Sequence, residues 1–155
     1  MQKNKHIVRL IGRREYVDFP VLDLKGIEAK IDTGAYTSSI HCEDISVKNV
    51  AQIPTLFFTI KLEGSEKKDY TFTEFTTKKI KNSFGEMEER YIIRTILKIG
   101  KKNIMASISL SNRDKMRYPV LVGRKPLKGK FLIDVKQLHL GGLKAAKGLK
   151  HLILK

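Results

Sequence analysis

The chain has 155 residues, 41% hydrophobic and 30% charged, enough for one domain with a real core and too apolar for a disordered protein. Lys and Arg number 31 against 16 Asp and Glu, a net charge of +15 that attracts polyanions, whether nucleic acid, anionic membrane or acidic peptide. No apolar run reaches membrane-span length, no secretory segment opens the chain, and the lone Cys42 precludes an internal disulfide, so the expected compartment is the cytoplasm.

Taken in order, Ile7–Ile11 reads as a first strand, stopped by Gly12 and the Arg13-Arg14 pair. Tyr16, Val17 and Phe19 lead to Pro20, and Val21-Leu22-Asp23-Leu24 reads as a second short strand before a Lys25-Gly26 turn. Ile27, Ala29 and Ile31 then alternate with Glu28 and Lys30, the period-2 signature of a half-buried strand, and this strand runs into Asp32-Thr33-Gly34-Ala35. Gly34 permits a tight turn, and Thr33 offers a donor and an acceptor. A carboxylate on such a turn is a candidate for chemistry. Asp-Thr-Gly by itself also serves as an ordinary turn in which Asp bonds its own amides.

Thr37–Cys42 is β-prone and leaves the turn. Thr55–Leu62 is a strong strand, and Tyr70–Thr73 answers it across Glu63-Gly64-Ser65 as a hairpin. The polar stretch Lys78–Glu86, with Gly85 near its end, reads as a loop. Tyr91–Ile99 and Ile104–Leu110 are further strands, the latter with Ile104, Ala106, Ile108 and Leu110 on one face. Tyr118–Arg124 is an apolar strand ending in Gly123-Arg124. A short helix over Arg124–Gly129 and a closing strand at Phe131–Asp134 follow. Many short strands with almost no helical period predict an all-β barrel or sandwich-like domain.

Several ordered motifs then coincide. They are Ile11–Val17, Ala29–Ser38, Ser83-Phe84-Gly85 with Glu89-Arg90, Arg113–Met116 and Pro119–Arg124. Together they resemble the retropepsin-like proteins of bacteria and archaea often labelled "ATP-dependent zinc protease", a family associated with ATP-grasp ligases that append glutamates to a ribosomal protein. The resemblance spans roughly residues 7–140. It implies the closed acid-protease barrel over 1–140, with 141–155 as a basic tail, and one Asp-Thr-Gly per chain. It further implies a homodimer in which two Asp32 carboxylates share a proton and activate water. Thr33 would lock the interface, Ala35 would leave room for substrate backbone, and Gly123 and Arg124 would support the loop. Ser83, Gly85, Arg113 and Arg117 are candidate substrate contacts.

Where retroviral enzymes carry an acidic residue after Ala35, this chain has Tyr36, so Arg124 lacks its usual ion-pair partner. The spacing from Asp32 to Gly123 exceeds that of a minimal retroviral enzyme. The added length is expected within 43–82, which leaves the flap unassigned.

The expected partners are an acidic or glutamate-rich peptide or protein, with a ribosomal protein or glutamate ligase as an associated partner. No cofactor and no metal are expected: His6, His41, His139 and His151 are scattered, adjacent His41 and Cys42 point to opposite strand faces, and no Gly-rich phosphate loop is present. The competing class is a non-catalytic basic module for acidic peptide, ribosome or RNA, although no aromatic-rich RNA-binding signature is visible.

Overall fold

A computed structural model describes residues 7–81, 84–112 and 117–146. The strands are β1 (Arg9–Gly12), β2 (Arg14–Phe19), β3 (Leu24–Ile31), β4 (Ser38–His41), β5 (Glu43–Val50), β6 (Ile53–Ile60), β7 (Lys68–Phe72), β8 (Thr76–Lys81), β9 (Met87–Ile99), β10 (Lys102–Ser111), β11 (Val120–Val122) and β12 (Phe131–Asp134). A 3-10 turn at Pro20–Leu22 and one helical turn, α1 (Arg124–Leu127), complete the regular structure among the described residues.

Six strands close a barrel in the order β10-β4-β11-β3-β2-β9, with β9 returning to β10. The alternation seen in the sequence fills it: Ile27, Ala29 and Ile31 from β3 meet Ile93, Leu97 and Ile99, the inward face of β10, and Val120 and Val122. The β5-β6-β7 meander packs Leu56, Phe58 and Ile60 into the same core. Phe58 stacks on Tyr70 at 5.3 Å, and the Tyr70 hydroxyl donates to the Leu22 carbonyl at 2.6 Å. The all-β closed barrel expected from the sequence is what the chain forms. Cys42 lies fully inside, and burial pushes its thiol well above the usual range.

Three local expectations need correction. Of the strand expected at Val21–Leu24, only Leu24 is one, as the first residue of β3: Pro20 sets the φ of a 3-10 turn, and Asp23, left-handed at φ 53°, closes it. Lys25-Gly26 is not a turn but lies inside β3, where a register shift and a bond from the Gly26 N–H to Asp18 Oδ1 (2.8 Å) absorb the glycine at φ +64°. Lys78–Lys81 is not loop but most of β8, paired with Met87–Arg90.

The chain ends of the barrel are fastened by a buried carboxylate. Glu15, 1% exposed, accepts N–H bonds from Gly12 (2.7 Å), Leu140 (2.9 Å) and Gly141 (2.8 Å). Residues 144–146 continue along β3, so that a Cβ on Gly26 would stand 2.4 Å from the Lys144 carbonyl. Glu15→Ala strands one buried and two partly buried N–H donors and should cost about 3 kcal/mol, measured by urea unfolding; a loss under ~1 kcal/mol would show that water replaces the carboxylate.

Candidate functional site

The site is made by a crossing. β11 lies between β3 and β4, parallel to the first and antiparallel to the second. The connection from β3 to β4, residues 32–37, therefore has to pass over the end of β11. Asp32 sits where it begins, half-buried, with its N–H bonded to the Val122 carbonyl at 2.8 Å. The Asp32 Oδ1 accepts the Gly34 N–H at 3.1 Å, and the Ala35 N–H closes the turn on the Asp32 carbonyl at 3.2 Å. Thr33 and Gly34 are exposed at the crest.

Gly123-Arg124 clamps this loop from below. The Arg124 N–H donates to the Ala35 carbonyl (2.8 Å), the Lys125 N–H to Tyr36 (3.1 Å), and the Gly123 N–H to Ser38 Oγ (3.1 Å). A Cβ on Gly123 would lie 2.5 Å from the Thr37 carbonyl oxygen and 2.8 Å from that of Tyr36. Its φ is −78°, open to any residue, so close approach alone demands glycine here.

The missing partner of Arg124 is now accounted for. Its guanidinium donates to the carbonyls of Thr33 (3.3 Å) and Gly34 (3.2 Å) and lies over the Tyr36 ring, 5.3 Å from the centroid. Tyr36 thus replaces a carboxylate with a cation–π contact, worth about 0.5–1 kcal/mol on a surface. The sequence reading missed Tyr36 and Ser38 as loop supports. Nothing short of the tertiary contact identifies them.

The substrate-contact candidates disperse. Gly85 is at the tip of the β8–β9 hairpin, at φ +81°, with Phe84 88% exposed beside it. Met87–Arg90 pairs with β8 alone, so this hairpin projects past the barrel wall. Arg117 is exposed ahead of β11, and neither it nor Gly85 is bonded to the Asp32 loop. Ser83 and Arg113 lie outside the described residues. Among the described residues no group of three or more His, Cys, Asp and Glu is placed to hold a metal ion, and no helix is long and apolar enough to cross a membrane. His139 is engaged elsewhere, stacked on Tyr16 and 2.6 Å from Glu28 Oε2.

A closed barrel whose Asp-Thr-Gly loop is clamped by Gly-Arg defines the retropepsin-like class. Residues 10–140 match the family described as RimB-like, the retropepsin-like aspartic endopeptidase RimB, and the chain belongs to that family. It is also similar to proteins named probable alpha-L-glutamate ligase: 34% identity over 97% of this chain in Shewanella halifaxensis and 33% over 81% in Desulfotalea psychrophila. The chain spans only 36% and 28% of those two relatives' lengths. A crystal structure of Lpg0085 from Legionella pneumophila, a protein of unknown function (DUF785), superposes with TM-score 0.71 and 25% identity, covering 86% of this chain and 98% of that one.

Proposed function

We propose that this chain is a homodimeric aspartic endopeptidase whose catalytic centre forms when two Asp32 loops meet across a two-fold axis. The observation that carries the reading is a half-exposed carboxylate on a loop fixed at eight backbone or side-chain bonds and crested by exposed Thr33 and Gly34. One aspartate cannot be base and acid at once. Two at close range ionise with difficulty together and so hold a single proton between them. The ionised member takes a proton from water as that water attacks the scissile carbonyl, and the protonated member hydrogen-bonds the carbonyl oxygen. As the C–N bond then breaks, the leaving nitrogen takes the proton that the first aspartate took from water, and the pair returns to its shared-proton state. Thr33 braces one loop against the other, Ala35 leaves space for substrate backbone, and Gly123 and Arg124 hold the loop through the reaction. The β8–β9 hairpin, with Gly85 at its turn, serves as the flap; Ser83 is a further substrate contact, and Arg113 and Arg117 are carboxylate binders.

Pairing is supported by an apolar surface. Leu10 and Leu132 are neighbours in the parallel β1–β12 pair yet 53% and 63% exposed, and two strands alone make a marginal sheet. The peptidase domain is residues 1–140, with 141–155 as its basic extension, acting in the cytoplasm. The substrate is an acidic, glutamate-bearing protein tail. The +15 charge and the relatives named as glutamate ligases support that choice, and also an association with such a ligase or its ribosomal-protein target. Cleavage of acidic and neutral peptides of equal length across a salt series, with and without a pepstatin-type inhibitor, tests it. We expect inhibition, and a preference for the acidic peptide of about tenfold or more at low salt that fades as salt rises. Indifference to peptide charge would remove the acidic substrate; indifference to the inhibitor would remove the mechanism.

A further inference from the structure

Beside the clamp that holds the Asp32 loop, the outer wall of the barrel carries an open concavity of about 180 Å³. Arg94 of β9, Ser107 of β10, Thr37 at the exit of the loop, and Lys125 and Lys130 flanking the end of α1 line it. Arg94 and Ser107 are direct partners in the β9–β10 ladder. The Lys125 and Lys130 backbones are fixed by bonds to the Tyr36 (3.1 Å) and Leu127 (3.0 Å) carbonyls. Arg94 and Lys125 are exposed and Lys130 half-buried, each rising from ordered backbone, and the Lys125 ammonium also lies 5.8 Å from the Tyr36 ring centroid.

No carboxylate lines the cavity, and among the described residues none of the three cations enters an ion pair. Elsewhere in the chain Arg14, Lys67, Lys68 and Arg90 do. Three positive charges around one concavity raise the local potential.

Size and charge narrow the ligand. The volume is below the ~300 Å³ at which pockets for whole small molecules begin, yet several times the ~30 Å³ share of one water. It suits a single oxyanionic group. A carboxylate brings one negative charge to three cations. A phosphate monoester brings about −1.5 to −2 with three acceptor oxygens, matching a guanidinium fork, two ammonium groups and two hydroxyls. We propose that the Arg94–Lys125–Lys130 cavity binds a phosphoryl group, either as free phosphate or as the terminal monoester of a larger molecule. Its occupant would touch both Thr37 and Lys125, the chain segments on either side of the clamp.

Calorimetric titration of the full chain with inorganic phosphate, and separately with AMP as a monoester, tests this at low ionic strength. The variants are Arg94→Gln/Lys130→Gln and a control with the same charge change on β8, Lys78→Gln/Lys79→Gln, each checked for an unchanged thermal transition. One site per chain is expected, weakened roughly 10–100-fold in the first variant and within about twofold of wild type in the control. Phosphate binding assigns the free ion; binding of AMP alone assigns the ester. The proposal is overturned if neither ligand binds, or if both double variants lose affinity equally, since the charge of the whole chain would then be responsible. The readout is binding, so its outcome is independent of the peptidase reading.

Discussion

Asp32→Asn should lower peptide cleavage by about a thousandfold or more while leaving fold and self-association intact. Asn keeps an acceptor where Asp32 Oδ1 meets the Gly34 N–H at 3.1 Å, and the loop is otherwise held by backbone groups of Val122, Gly123 and Arg124 that the change does not touch. What disappears is the shared proton. An amide can neither take a proton from water nor pair with a second carboxylate to stabilise one. The loss should therefore fall on kcat, with KM changing by about threefold or less. Full cleavage by this variant, or by Asp32→Ala, would leave the proposed chemistry without its base.

Gly123→Ala should be nearly as damaging, through geometry rather than charge. The added methyl carbon would stand 2.5 Å from one backbone carbonyl oxygen and 2.8 Å from another, neither able to swing aside as a side chain does. Relief requires residues 36–37 to lift off β11, taking the Arg124 N–H bond to the Ala35 carbonyl with them. A cost of about 2–4 kcal/mol in urea unfolding is expected. Activity should fall about 100-fold or more even in the folded fraction, because a displacement near 1 Å at a reacting group costs roughly that much. Wild-type stability in this variant would mean that the clamp yields freely and does not position Asp32.

The parts of this molecule that were legible in the sequence are those in which burial alternates locally. Ile27, Ala29 and Ile31 announce β3, and Ile104 to Leu110 announce β10, because one face of each is sealed in the barrel. β5 was unreadable for the opposite reason: no residue in Glu43–Val50 is buried, so no period is imposed on it. β8, Thr-Thr-Lys-Lys-Ile-Lys, is an exposed edge that reads as polar loop. At Gly26 a turn signal is overridden by the tertiary approach of Lys144 and Ala146. In the site, Asp32 and Gly123-Arg124 were legible as a pair of distant motifs that resemble a known family. The partners of Arg124 were not, since two are backbone carbonyls that carry no residue identity, and the third, Tyr36, stands where a carboxylate was looked for.

The claim that each chain carries half of a catalytic centre is tested most directly by mixing wild-type and Asp32→Asn subunits at constant total concentration and following peptide cleavage. If the centre needs both aspartates, activity follows the square of the wild-type fraction, falling to about a quarter at an equal mixture once subunits have exchanged. A linear decline, to about a half, would mean that each subunit works alone and would contradict the account.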